Sequence, residues 1–276
     1  MRKQFLAFFL LVSTLLAEHT AQYGYSFFNA GFQSTFYTQT YTSDSGDNYY
    51  SEAELTSPYY ATGTLTRVND TYDFSIVAGS TLFATATDEK YYFNNSINDQ
   101  HKLNMSVSDI AILVHYKFDL HQRFLFGGSY TYETIKRYNF SDPELKKIGV
   151  IENNIGTIAL KIGYLYDSKL RLKDSGWHYR GGVVVGLPFI AITTDSYPTP
   201  ENPFEISNTF GLNIAPHGYL GYPIAEGIEL GAYFNYLYQI RHEQVRASDN
   251  GGQDALTSKN TTQRLDYGLS LSWNFN

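Results

Sequence analysis

Leu265-Asp266-Tyr267-Gly268-Leu269-Ser270-Leu271-Ser272-Trp273-Asn274-Phe275 is the stretch whose reading decides the fold. Every odd position is large and apolar, and every even one is small or polar. A strand sends successive side chains to opposite faces, so this segment has one greasy face and one polar, glycine-containing face. The preceding segment repeats the pattern: Ile228, Leu230, Ala232, Phe234, Tyr236, Tyr238 and Ile240 alternate with residues such as Glu229, Gly231, Asn235, Gln239 and Arg241. Working back, Val183, Val185, Leu187 and Phe189 oppose Arg180, Gly182 and Gly186. Ile158, Leu160, Ile162 and Tyr164 oppose Lys161 and Gly163, and Phe28, Ala30, Phe32 and Phe36 oppose Asn29, Gly31, Gln33 and Thr35. Helical periodicity is hard to find anywhere.

Composition narrows the class. The chain has 276 residues, no cysteine, a net charge of −7, 17% aromatic and 17% charged residues, and a mean hydropathy of −0.30. Without cysteine there is no disulfide framework, Cys-ligated zinc, iron–sulfur cluster or thiol nucleophile. An acidic chain is a poor general ligand for nucleic acid, which needs clustered Lys and Arg. At the N-terminus, Arg2 and Lys3 precede the 13-residue apolar run Phe5 to Ala17 and then small residues. This is the pattern of a secretory signal peptide over 1–21, with cleavage near Ala17 or Ala21. Its removal takes away two basic residues and one acidic one, leaving a mature domain, 22–276, at −8.

Alternation that persists for ten residues or more exceeds the usual strand of a soluble sandwich, about 5–6 residues, and matches the roughly 9–11 needed to cross a bilayer as a tilted strand. The expected fold is all-β: an antiparallel transmembrane barrel, apolar outside and polar inside. Ten strands are predicted, at 24–42, 59–68, 71–87, 109–118, 123–138, 151–166, 177–193, 208–222, 228–245 and 263–275. Splitting one long loop into a hairpin gives twelve. The joins alternate between long (43–58, 88–108, 139–150, 194–207, 246–262) and short (69–70, 119–122, 167–176, 223–227), as extracellular loops and periplasmic turns do.

The last strand resembles the C-terminal signature of bacterial outer-membrane β-barrel proteins. A polar residue, a glycine and spaced hydrophobic residues stand at the matching positions, Asp266, Gly268, Leu271 and Trp273, with Phe275 close behind. The family's terminal residue is most often Phe, whereas here Asn276 follows it. The resemblance implies location in the outer membrane of a Gram-negative bacterium, contact with its lipid and lipopolysaccharide, and recognition by the barrel-assembly machinery. It implies no cofactor and does not identify an extracellular ligand.

Chemistry is harder to read. Seven charged residues share the predicted interior face: Asp73, Glu133, Lys161, Arg180, Glu229, Arg241 and Asp266. In a barrel of this size side chains can fill the lumen, and charges there must pair or be hydrogen-bonded. They form either an interior network or the lining of a narrow pore for small polar or cationic solutes. His115, Lys117, His178 and His217 share that face, the imidazoles expected to be hydrogen-bonded. A ten-strand barrel is also similar in size to the omptin proteases, whose rim combines an Asp-x-Asp with an Asp-x-His pair. Asp99-Gln-His101 supplies a candidate for the second in the longest predicted outer loop, and a carboxylate beside an imidazole can orient a general base. No Asp-x-Asp occurs, and a second Asp-x-His, Asp119-Leu-His121, falls in a predicted periplasmic turn. A Ser–His lipid hydrolase has no local signature here. The outer loops 43–58, 88–108 and 194–207 carry −4, −1 and −3 (Asp44, Asp47, Glu52 and Glu54 in the first), an acidic rim that repels polyanions. Tyr49-Tyr50, Tyr59-Tyr60 and Tyr91-Tyr92-Phe93 flank these loops, most of them expected as girdle aromatics and some able to stack on sugars or a partner protein. The functional expectation is a surface barrel with a filled lumen acting through its loops, with a narrow channel and an outer-membrane hydrolase as alternatives.

Overall fold

The computed structural model describes residues 24–42, 48–94, 96–169, 172, 175–195, 205–208, 210–249 and 252–274. The expected leader, Asp44, Asp47 and Phe275 lie outside the described residues. Twelve strands follow in chain order: β1 (Gly24–Thr42), β2 (Asn48–Arg67), β3 (Tyr72–Thr81), β4 (Ala86–Phe93), β5 (Ser96–Lys117), β6 (Gln122–Tyr138), β7 (Val150–Asp167), β8 (His178–Asp195), β9 (Glu205–Asn208), β10 (Phe210–Ala225), β11 (Ile228–Asp249) and β12 (Gly252–Asn274). One six-residue helix, α1 (Pro143–Ile148), sits between β6 and β7. All pairings are antiparallel, and β1 hydrogen-bonds both β2 and β12, which closes the ring. Ten strands make that ring. Strand β4 continues β3 between β2 and β5 after a break at 82–85, and β9 pairs with β8.

The closing seam shows why the last strand has its composition. Gly31 of β1 faces Gly268 of β12. A Cβ on Gly268 would stand 2.2 Å from the Ala30 carbonyl oxygen, so the strands can approach only where side chains are absent. On the opposite face Leu269 is 63% exposed and Trp273 is 37% exposed. Phe28 and Phe32, Ile112, Leu160 and Ile162, and Leu220 and Leu230 are likewise exposed around the ring. So continuous an apolar belt is solvated by acyl chains. Aromatic pairs mark its periplasmic edge: Tyr72–Tyr116 at 5.6 Å, Tyr166–Tyr179 at 5.9 Å and Trp177–Tyr222 at 5.1 Å between ring centroids. Tight turns follow below. Asn69 Oδ1 accepts the N–H groups of Thr71 and Tyr72, Asp119 Oδ1 those of His121 and Gln122, and Gly227 takes a φ of +72° in the β10–β11 turn.

The strands run further outward than the sequence indicates. Predicted loops 43–58 and 88–108 contain the start of β2, most of β4 and the first half of β5; predicted loop 246–262 holds paired β11 and β12 up to Asp249↔Gly252. The reason is visible in β5. Within the membrane Ile110 and Ile112 point out while Asp109 and His115 point in, but above it Leu103, Met105 and Val107 are buried inside and Asn104, Ser106 and Ser108 face out. Where the surroundings change from lipid to water, the apolar phase inverts, and the alternation that identifies a strand is interrupted although the backbone ladder continues. The inward residues there (Tyr37, Ala53, Leu55, Leu103, Met105, Val107, Ile135 and Ile155) pack as an apolar cluster inside the lumen. The expectation of a uniformly polar interior is corrected accordingly.

Candidate functional site

Register brings Glu89 of β4 directly opposite His101 of β5, with Asp99 two residues before it on the same face. All three are buried, at 0%, 6% and 3% exposure respectively. Asp99 and His101 are therefore strand residues facing the interior, which corrects their placement in a solvated outer loop. His101 Nδ1 lies 2.8 Å from Asp99 Oδ2 and Nε2 lies 2.7 Å from Glu89 Oε2. Arg137 of β6 donates to both Glu89 oxygens, at 2.6 and 3.1 Å, and reaches across to Asn153 of β7 and Gln39 of β1, each at 3.1 Å. Burial pushes the Glu89 carboxyl up, but the Arg137 guanidinium and the His101 contact outweigh it and hold it at about 2. The segment after β6 closes over this cluster. Ser141 and Asp142 donate their N–H groups to Asp99 Oδ1 at 2.8 and 3.0 Å, and the Phe140 ring stands 4.9 Å from the imidazole. Both ring nitrogens of His101 thus lie at hydrogen-bond distance from a carboxylate oxygen. With both ring nitrogens so occupied, His101 has no lone pair free to activate water, and the arrangement ties β1, β4, β5, β6 and β7 together.

The seven predicted interior charges do face inward, but they do not form one network. Asp73 and Glu229 end a layer of contacts at the periplasmic end. Asp73 accepts from Lys117 at 2.8 Å and Arg123 at 3.2 Å, and Arg123 lies 3.7 Å from Asp167. His178 bridges Asp167 at 2.8 Å and Glu229 at 2.6 Å, and Lys169 donates to Glu229 at 2.7 Å. In the strand order, β3 and β11 stand on opposite walls, so this layer crosses the barrel. Higher up, Arg241 of β11 donates to Glu133 of β6 at 2.9 Å. Asp266 accepts from Gln33 and Asn235, at 3.0 and 3.1 Å, and lies 3.4 Å from Arg264. Lys161 and Arg180 have no carboxylate at ion-pair distance among the described residues; Arg180 instead donates to the Tyr25 hydroxyl. His115 hydrogen-bonds Ser75 at 2.7 Å.

Sequence reading missed Arg123, Asp167, Lys169, Asp109, Arg264, Glu89 and Arg137. Arg123, Asp109, Arg137 and Arg264 share the inward parity of Glu133, His115 and Asp266, so extending the parity rule to strand ends would have found them. Lys169 sits in a turn and carried no such signal. Two further expectations are corrected. Tyr59 is no girdle aromatic: it is buried inside and donates to Asp109 at 3.3 Å. Glu52 and Glu54 stand on the outer face of β2 rather than in a loop, Glu52 accepting from Tyr50 and Tyr92. On the opposite, inward face of β2, Tyr49 stands 6.0 Å from Tyr91 and 5.0 Å from Phe93 between ring centroids. The Asp119-Leu-His121 triplet is a periplasmic turn, where the backbone N–H groups of His121 and Gln122 hold the Asp119 carboxyl below the usual range. Among the described residues no group of three or more His, Asp or Glu is arranged to hold a metal ion.

No family model and no curated protein matches the sequence. Solved structures do. The outer-membrane protease OmpT from Escherichia coli superposes with a TM-score of 0.67 at 8% identity, over 93% of this chain and 98% of that one. The translocator domain of the autotransporter NalP from Neisseria meningitidis aligns over 99% and 96% of the two chains at 11% identity and a TM-score of 0.34. The outer-membrane protein OprG from Pseudomonas aeruginosa aligns over 94% and 98% at 12% identity and 0.36. With its ten-strand ring and apolar belt, the chain has the fold of the bacterial outer-membrane β-barrels, and its place is in that membrane.

Proposed function

We infer that this barrel is closed to the bulk passage of ions and works through its extracellular strands and loops as a binding or structural component of the cell surface. One observation carries the reading: side chains from opposite walls meet across the lumen at successive levels. These are the Asp73-to-Glu229 layer, Arg180 with Tyr25, Arg241 with Glu133, and Arg137 with Gln39. Buried charges so paired hold one another in place, since separating them exposes each to a desolvation cost of several kcal/mol. Lipopolysaccharide around the belt and the barrel-assembly machinery at the C-terminal strand are the partners that fit this location.

Reconstitution of the purified chain into planar lipid bilayers tests it. The expected result is no stable unitary conductance. Steady steps in every active bilayer, abolished by a cross-linked or blocked lumen, would establish the narrow channel instead. A proteolytic or lipolytic activity lost on His101→Ala would establish the hydrolase, against the occupied ring nitrogens described above.

A further inference from the structure

Above the periplasmic charge layer the lumen holds a cavity of about 280 Å³. Its lower part is walled by Phe27, Leu65, Val77, Leu113 and Val184 and floored by Arg180. The Arg180 guanidinium stands 5.1 Å from the Tyr219 ring centroid, 5.6 Å from Tyr25 and 5.9 Å from Phe27. Ring faces and one phenol surround it, while Asp167, its partner in the β7–β8 register, lies outside ion-pair distance and is engaged by His178 and Arg123. The acids that face the cavity, Asp109 and Asp266, lie at its other end and are engaged: Arg264 is 3.9 and 3.4 Å from them, Tyr59 donates to the first, and Gln33 and Asn235 donate to the second. Lys161 belongs to that upper end as well, because its register partner Gly186 is six residues from Arg180, roughly 20 Å along the strand. The other ionisable groups facing in are His115 and His217.

Polar atoms in the wall are also unanswered. His115 Nδ1, on a side chain only 4% exposed, lines the cavity without a hydrogen-bond partner, as do Asn29 Oδ1 and the Tyr233 hydroxyl, and at the upper end, level with Lys161 through their shared partner Gly186, so does Asn213 Oδ1. Buried polar groups in folded chains normally find partners, and a set that converges on one apolar-walled space marks a place where a ligand supplies them. We propose that this cavity binds a small organic monoanion, a carboxylate on an aromatic or short aliphatic body, with the carboxylate on Arg180 and the body against Phe27, Val77 and Leu113. The volume is at the lower end of ligand pockets, which confines the class to molecules about the size of benzoate. The site stands whether or not ions cross the barrel, so it is independent of the closed-lumen reading.

Isothermal titration calorimetry on the full chain in detergent, with benzoate and its neutral isostere benzamide, tests the assignment. Benzoate binds at one per chain, and benzamide binds at least about tenfold more weakly, because a hydrogen bond to a charged group is at stake. Arg180→Met lowers benzoate affinity by at least about tenfold and Lys161→Met leaves it within about threefold. Since Arg180→Met removes a buried contact to Tyr25, Val184→Phe serves as a second variant: it fills the apolar wall, keeps Arg180, and abolishes binding. No heat with benzoate, equal affinity for benzamide, or unchanged binding in the Val184→Phe chain overturns the proposal.

Discussion

Replacing Glu89 by Gln removes one charge from the cluster that gathers the extracellular ends of β1, β4, β5, β6 and β7. The carboxylate is fully buried and accepts from both Arg137 and His101. Its pKa of about 2 in the folded chain, against the ordinary 4.5, corresponds to about 3 kcal/mol of stabilisation. The sign follows from the direction. A carboxyl depressed by folding contributes fully above its unfolded value, and the contribution is lost as pH falls from about 4.5 toward 2. At pH 7 Glu89→Gln therefore lowers stability by about 3 kcal/mol, because a neutral amide replaces the charged acceptor that faces Arg137 and His101. Urea unfolding in phospholipid vesicles measures the difference between wild type and variant at each pH from 7 to 3. That difference should shrink steadily below pH 4.5. Amide exchange locates the effect: protection should fall over 86–105 and stay unchanged in the membrane portions of β10 to β12. A difference that stays constant across the pH range, or a variant as stable as wild type at pH 7, refutes the reasoning.

Two further substitutions probe the wall itself. Leu269→Arg places a cation on the lipid face of β12 and should cost about 2–4 kcal/mol if that position lies near the bilayer midplane, read as a lowered urea midpoint in vesicles; no loss would mean that Leu269 does not face acyl chains. Gly268→Val puts a Cβ 2.2 Å from the Ala30 oxygen and 2.6 Å from the Gly31 Cα, so the β1–β12 seam must part by about an ångström or more, at roughly 1–3 kcal/mol. The fraction migrating as folded barrel on an unheated gel should drop, and an unchanged fraction would show that the seam tolerates a side chain.

Much of the barrel was legible because a membrane imposes two solvents on every strand. Ten segments, the closing strand and the short periplasmic joins follow from period-2 alternation between acyl chains and lumen, as in Leu265 to Trp273. The outward extensions were not legible for the same reason. Above the belt, water replaces lipid, Leu103, Met105 and Val107 turn inward, and the pattern loses its phase while the hydrogen-bond ladder does not. Asp99 and His101 were picked out by their spacing, but spacing carried the wrong environment: their partners Glu89, on β4, and Ser141 and Asp142, after β6, come from two other segments. Tyr59 likewise reads as an interfacial aromatic until the register shows that it shares the inward face with Ala61 and Leu65.

The sequence by itself determined the all-β class, a ring of ten or twelve strands and which face of each membrane segment meets lipid, since those depend only on parity along the chain. Tertiary structure alone decided which inward charges meet. Glu133 finds Arg241, Asp73 reaches Glu229 through Arg123, Asp167 and His178, and Arg180 is left among aromatic rings at the floor of an apolar-walled cavity. Partnership across a lumen depends on strand register and on which walls stand opposite once the ring closes, and neither quantity is written in any one segment.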